Sequence, residues 1–175
     1  METRSQTAKP SRPLLWGALS PVGLTLACFS FLADQLFKWW MLSFMNIAAA
    51  QPIDVTPFFS LVLVWNQGVS YGLFAQGGDL GQLVLIVLSI AASIALWVWL
   101  ARTASPLAAA GLGLIIGGAL GTVADRIIYG AVADFFWLHA FGLSWYIFNI
   151  ADIAIVAGVV ALIYDSVTDS RRSKA

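Results

Sequence analysis

The chain has 175 residues, 60% of them apolar and only 10% charged, with basic and acidic side chains in equal number. A mean hydropathy of +0.86 argues against a soluble domain, and the zero net charge leaves no footprint for nucleic acid. A single cysteine, Cys28, rules out an internal disulfide; with His139 as the one histidine, a zinc or bis-histidine haem centre is not expected, nor is any other metal or cofactor.

Residues 1–13 are polar and basic, carrying Arg4, Lys9 and Arg12. The first apolar run, 14–33, is about twenty residues, enough to cross ~30 Å of hydrocarbon. It is expected to end at Asp34-Gln35-Leu36-Phe37-Lys38. A basic start before an apolar run also suits a cleaved signal peptide, and Thr25-Leu26-Ala27-Cys28 is a weak lipoprotein-processing pattern. The run continues past Cys28 to Ala33, too long for an ordinary signal core, which favours a retained span.

Residues 46–78 are not a span, because Pro52, Asp54, Pro57, Asn66 and several glycines interrupt them. Val55 to Trp65, rich in β-branched and aromatic residues, reads as a strand, and Asn66-Gln67-Gly68 as a turn. A second strand or amphipathic piece should follow, the whole resting on the outer surface, since open sheet edges do not sit in lipid. Three further spans read over 80–101, 107–124 and 145–164, followed by a polar tail, 165–175. The expectation is one integral-membrane domain over 1–175, mainly α, with four transmembrane helices and an outward β-rich and amphipathic segment.

The basic residues give the orientation. With the N-terminus inside, Arg4, Lys9, Arg12, Arg102, Arg171, Arg172 and Lys174 face the cytoplasm, and only Lys38 and Arg126 lie outside. Both termini are then cytoplasmic. The acids Asp34, Asp54, Asp79, Asp125, Asp134 and Asp152 all fall toward the outer side, with Trp39, Trp40, Trp65, Trp137 and Trp145 as an aromatic belt there. Function is expected to face outward.

Two of those acids stand out. A carboxylate near hydrocarbon costs roughly 2.5–3.5 kcal/mol on insertion scales, which makes it a functional candidate. Asp152 lies inside an apolar run, three residues after Asn149, so the two share a helix face or form a cap of capping-box type. Asp134 alone reads as a loop acid; its weight comes from a partner. Spans three and four are joined by only about twenty residues, which brings Asp134 and Asp152 close enough to share a proton. Such a pair suits peptide hydrolysis, one acid taking a proton from water while the other polarises a carbonyl.

The remaining features read as support. Asp34 and Lys38, at i and i+4, suit an ion pair on the helix surface, and Asp125-Arg126 suits equally an interfacial pair or a role in the site. Gly113, Gly117 and Gly121 suit close helix packing. Ser70 or Ser144 with His139 lacks the nucleophile-elbow pattern of a serine hydrolase. A proton-coupled transporter would use the same acids, but nearer the bilayer centre and within an inverted repeat, and none is evident. A silent scaffold packing through its glycines is the third reading.

Five segments occur in an order that resembles the lipoprotein signal peptidase (signal peptidase II) family. They are Asp34-Gln35-Leu36-Phe37-Lys38, Asn66-Gln67-Gly68, Gly117-Gly118-Ala119-Leu120-Gly121 with Asp125-Arg126, Ala133-Asp134-Phe135, and Phe148-Asn149-Ile150-Ala151-Asp152. The resemblance implies a four-helix inner-membrane aspartic protease with a small outer β-rich cradle. Its substrates would be prolipoproteins, cleaved just before a cysteine bearing diacylglyceryl, with membrane lipid as surroundings and a monomeric enzyme without cofactor. Asp134 and Asp152 would be the catalytic pair, with Asn66, Arg126, Asn149 and Thr122 lining the site, and Asp34, Lys38 and Asp125 supporting it. The chain departs from the family pattern at Thr122, usually asparagine, at Ala133, commonly valine, and at Val69-Ser70-Tyr71, usually Ala-rich with a phenylalanine.

Overall fold

The computed structural model describes residues 14–68 and 78–172. Four of its helices are long and apolar enough to cross a membrane. Helix α1 (Ser20–Trp39) has proline in its first turn and runs on as a π-helical turn, Trp40–Phe44, closed by the Met45 N–H on the Trp40 carbonyl at 2.9 Å. The membrane-long unit is therefore Ser20–Phe44, not 14–33. Asp34 and Lys38 lie within it, because their charges are compensated inside the protein.

A single helical turn, α2 (Ile47–Ala50), leads to strands β1 (Ile53–Thr56) and β2 (Phe59–Asn66). Helices α3 (Gly78–Leu100) and α4 (Pro106–Tyr129) follow, then β3 (Val132–Ala140), β4 (Leu143–Ser144) and α5 (Ile150–Arg172). Helix α4 shows why its ends fall where they do. Ser105 accepts the Ala108 N–H, Pro106 occupies the first position, and Gly130, at φ +71°, returns its N–H to the Arg126 carbonyl at 3.0 Å. Asp125 and Arg126 belong to its last turns and do not terminate it. The fourth span starts later than the expected residue 145, since Trp145 to Phe148 run extended beside β3.

Helix α4 is the centre of the bundle and packs on α1, α3 and α5. Its glycines make two close seams. Toward α1, Gly113 abuts the Gly23 backbone, and Gly117 abuts the Ala27 carbonyl and the Ser30 hydroxyl. Toward α5, a Cβ at Gly118 would come within 2.6 Å of the Ala151 carbonyl, and one at Gly111 within 2.8 Å of that of Gly158. Leu100, Leu112 and Ile116 fill the space between the helices, whereas Leu83, Val87, Leu88 and Ile94 on α3 remain exposed to lipid.

The sheet lies at one end of the bundle in the antiparallel order β1-β2-β3-β4. The strand expected over Val55 to Trp65 is split, Val55 and Thr56 closing β1 and Phe59 to Trp65 making most of β2. The turn expected at Asn66-Gln67-Gly68 does follow β2, with the Gly68 N–H on Asn66 Oδ1 at 3.1 Å. The reversal between β1 and β2 is at Pro57-Phe58, between Thr56 and Phe59, and the partner on the far side of β2 is the distant β3. The second piece expected after Gly68 falls mostly outside the described residues. A two-residue turn, Phe141-Gly142, with both φ positive at 52° and 77°, joins β3 to β4 as a type I′ hairpin does. Phe135 and Ala133 pack inward on Met41 and Ile47, seating the sheet on the end of α1.

Gly117→Val is expected to lower the thermal unfolding midpoint in detergent. Forcing α1 away costs about 1–3 kcal/mol, more than the gain in helix propensity of under ~1 kcal/mol. Val87→Leu on the lipid face should change stability by no more than about 0.5 kcal/mol. Equal melting of the Gly117 variant and the wild type would remove the close α1–α4 contact from this account.

Candidate active site

The N-terminus of α5 carries the first carboxylate. Asn149 caps it, its Oδ1 accepting the Asp152 N–H at 3.1 Å, while Asp152 Oδ2 accepts the Asn149 N–H at 3.0 Å. This is the reciprocal capping box that the three-residue spacing suggests. The cap uses only part of Asn149. Its Nδ2 donates to Asp134 Oδ1 at 2.5 Å, so one residue bonds both carboxylates, that of Asp134 through its side chain and that of Asp152 through its backbone N–H.

Asp134 is on β3, not in a loop, and is 2% exposed. The strand brings it there twice over. Phe136 pairs with Phe148, their backbone N–H groups donating to each other's carbonyls at 2.8 and 3.1 Å, which stitches β3 to the segment entering α5. On the other edge, Val64 of β2 faces Asp134, so Asn66, two residues on, lies on the same face of the sheet. Asn66 Nδ2 donates to Asp134 Oδ2 at 3.1 Å and to the Tyr146 hydroxyl at 2.8 Å. Burial, and then the charge of Asp152, push the Asp134 carboxyl up from 3.8 to about 7, against the lowering effect of the Asn149 and Asn66 amides and of Lys38. A carboxyl poised there can give and take a proton near neutral pH.

Beneath the pair lies a buried charge cluster. Lys38 Nζ is 2.7 Å from Asp34 Oδ2 and 2.7 Å from Asp125 Oδ2; Lys38 is 2% exposed and both acids are fully buried. The expected surface pair of Asp34 and Lys38 is thus internal, and Asp125 pairs with Lys38, not with Arg126. Each of these acids also holds a backbone amide. Asp34 Oδ1 accepts the Ala151 N–H at 3.0 Å, and Asp125 Oδ2 accepts the Ala133 N–H at 3.1 Å. Those amides immediately precede Asp152 and Asp134. Gln35 Nε2 completes the cluster, donating to Asp125 Oδ1 at 2.9 Å and to the Gly121 carbonyl at 3.2 Å.

A family model described as signal peptidase (SPase) II matches residues 26–168. The chain belongs to the signal peptidase II family. It is similar to the lipoprotein signal peptidase of Methylobacterium sp. (strain 4-46), 46% identical over 94% of this chain and 96% of that one. With that of Methylorubrum extorquens (strain PA1) it shares 50% identity over 86% and 88%. Two solved bacterial membrane enzymes superpose with TM-scores of 0.73; one is 27% identical over 86% of this chain and 90% of its own, the other 26% over 90% and 99%. With four helices long and apolar enough to cross a membrane, this family member is a multi-pass membrane peptidase.

The fold of this signal peptidase II thus brings Asp134, Asp152, Asn149 and Asn66 together, with Asp34, Lys38 and Asp125 directly behind them. Arg126 is set to one side, its Nη1 donating to Gln82 Oε1 at 2.8 Å and its Nη2 to the Gly68 carbonyl at 3.1 Å. The Thr122 hydroxyl donates to the Ala119 carbonyl of its own helix at 2.9 Å. His139 meets Ser60, not Ser144, at 2.8 Å, and Ser70 lies outside the described residues. Among the described residues no three His, Cys, Asp or Glu side chains are grouped to hold a metal ion. Sequence reasoning missed Tyr146, Gln82 and the amide-holding role of the acid cluster, since none has a motif of its own and each depends on a partner remote in the chain.

Lys38→Met leaves two buried carboxylates without their cation and should cost about 3–5 kcal/mol, read as a lower unfolding midpoint in detergent. Adding Asp34→Asn and Asp125→Asn removes the excess charge and should recover most of that loss. A triple variant no more stable than Lys38→Met would show that packing, not charge, makes Lys38 necessary.

Proposed function

We propose that this peptidase is of the aspartic type, with Asp134 and Asp152 acting as one proton-sharing pair at the outer membrane surface. The observation that carries the reading is Asn149, which touches both carboxylates at the start of α5. Asp134, buried and pushed up to about 7, holds the shared proton. Asp152, half-buried in the first turn of α5 where the helix dipole favours negative charge, is the base.

In this mechanism Asp152 takes a proton from water as its oxygen attacks the scissile carbonyl, and Asp134 protonates the carbonyl oxygen, giving a gem-diol. The gem-diol then collapses. Asp134 recovers its proton as the carbonyl re-forms, and Asp152 gives its own to the leaving nitrogen as the C–N bond breaks. Both carboxyls return to their starting states.

The bond cut is the one before a diacylglyceryl-bearing cysteine. A cavity of about 580 Å³ supports this, since Trp145, Tyr146, Phe148, Ile153, Val156 and Ala157 line it beside Asp152 and descend along α5. Acyl chains entering it from lipid would leave the scissile bond level with the carboxylates. Asn66, Asn149, Arg126 and Thr122 are proposed to bind the substrate backbone. The whole chain acts as one monomeric domain, with both termini cytoplasmic and the site outward. The residues 1–13 and 173–175 that carry much of the orienting charge lie outside the described residues.

Asp134→Asn and Asp152→Asn should each lower turnover of a diacylglyceryl prolipoprotein peptide by at least about 10²–10⁴-fold, with the unfolding midpoint kept. Full turnover by either would sink the aspartic assignment. The rate should also fall as pH rises through about 7, where Asp134 loses its proton. The sign for stability is the same. With the carboxyl at 3.8 when unfolded and about 7 when folded, its stabilising contribution is complete below the lower value and lost as pH rises through the upper. A rate still flat well above neutral pH would count against Asp134 as the proton holder.

A further inference from the structure

Gln82, one turn into α3, has no motif to mark it. Ser93 on the same helix spends its hydroxyl on the Ser89 carbonyl, whereas Gln82, half-buried, reaches out of the helix with both ends of its amide. Its Oε1 accepts Arg126 Nη1 at 2.8 Å, and its Nε2 donates to the Gln67 carbonyl. Arg126 Nη2 in turn donates to the Gly68 carbonyl at 3.1 Å. Two successive carbonyls of the turn after β2 are therefore gripped by neighbouring side chains from two different helices.

The turn matters because of what it does to Asn66. The Gly68 N–H donates to Asn66 Oδ1 at 3.1 Å. That bond settles which end of the Asn66 amide points inward: the Nδ2 donor faces Asp134 Oδ2, at 3.1 Å. A donor there favours the ionised carboxylate. If the turn were loose, the amide could rotate and offer Oδ1, which suits only a protonated Asp134. Only a glutamine-like side chain serves the grip, since it must accept from a guanidinium and donate to a carbonyl at once.

Resting on the aspartic reading above, we infer that Gln82 is a positioning residue for the reaction: with Arg126 it clamps the Gln67-Gly68 turn and thereby orients Asn66 on Asp134. The charged and titratable groups around Asp134 are Asp152 on α5, Lys38 on α1, Arg126 on α4 and Tyr146 on the segment leading to α5. Gln82 is neutral, so Gln82→Leu adds or removes no charge, and a change in the proton behaviour of the pair in that variant reports on the turn and the Arg126 side chain that holds it.

The test is a full pH–rate profile and an unfolding midpoint for purified Gln82→Leu and Gln82→Glu in detergent with a diacylglyceryl prolipoprotein peptide. The leucine keeps the volume and loses both bonds; the glutamate keeps the acceptor for Arg126 and loses the donor to Gln67. Both are expected to lower kcat about tenfold, the effect of losing one well-placed hydrogen bond, with a smaller change in KM. The basic limb of Gln82→Leu, which adds no charge, should move to higher pH, as Asp134 holds its proton more tightly. In an Asn66→Ala background, Gln82→Leu should add no further shift, because the effect passes through Asn66. An unmoved basic limb, full activity, or a kcat that falls only in step with the unfolding midpoint would overturn the clamp. Asp134→Asn in the same assay separates the two ideas: its full turnover removes the aspartic reading itself, whereas its inactivity beside an unshifted Gln82→Leu profile removes only the clamp.

Discussion

The structure depends on one lysine held between two carboxylates, all three closed off from the surface. In low dielectric an unpaired charge is worth several kcal/mol against folding, so Lys38, Asp34 and Asp125 are admissible only together. Two acids and one base still leave a formal negative charge, and it is spread over donors. The Ala151 and Ala133 amides and Gln35 supply them. The buried cluster is thereby tied to four elements at once: α1 through Asp34 and Lys38, α4 through Asp125, α5 through Ala151 and β3 through Ala133. Because the two amides are those just ahead of Asp152 and Asp134, satisfying the cluster and setting the separation of the candidate catalytic acids are one geometric condition.

That condition is met only if α1, α4 and α5 come unusually close, and small residues make this possible. The buried face of α1 is Ser20, Gly23, Ala27, Ser30, Asp34 and Lys38, small residues for most of its length and charged only at the end nearest the sheet. Opposite it, Gly113, Gly117 and Gly121 of α4 admit the α1 backbone, and at Gly121 a Cβ would approach Asp34 Oδ2 to 2.8 Å. Lipid offers helices little hydrophobic reason to associate, so close van der Waals contact and internal polar bonds must do it. The glycine seam and the charge cluster are two lengths of the same contact. Helix α3 meets this contact through Leu100, which packs on Gly23, and keeps much of its apolar surface toward lipid, while Gln82 reaches the turn beside the site.

Much of this was legible in the residues, and where it was not the reason is physical. The cap joining Asn149 to Asp152 follows from a spacing of three, and the glycine seam from a spacing of four; both are local, and both are present. The closeness of Asp134 and Asp152 follows from a short connection. Span ends were harder. A reading that stops at the first charge ends α1 at Asp34 and α4 at Asp125, whereas the helices run on because those two charges neutralise a common lysine across about ninety residues of chain. Strand β2 was visible, but its pairing with β3 depends on residues that carry no mutual signal along the chain. The Asn66-Gln67-Gly68 turn is legible and present, closed through Asn66 Oδ1, but the reversal at Pro57-Phe58 inside the expected strand is not, since the β-branched and aromatic run continues across it.

The seam between sheet and helix holds the proposed pair, Asp134 and Asp152, both rigid and reachable. Asp134 is on a strand held on two edges, and Asp152 is in the first turn of a capped helix, so neither depends on a loop for its position. Yet the two elements meet at the end of the bundle, where α5 emerges and its apolar cavity opens beside Asp152. Burying both acids deep in the bundle would have forced each to be neutral; exposing both would have left them ionised and unpaired. The placement is unequal, Asp134 closed off behind two amides and Asp152 half open at a helix N-terminus, which is the kind of difference in surroundings that the proposed acid and base roles call for. The asymmetry comes from the elements themselves, a strand interior against a helix start. It would persist under substitutions around the pair, provided that the amides of Ala133 and Ala151 stay held.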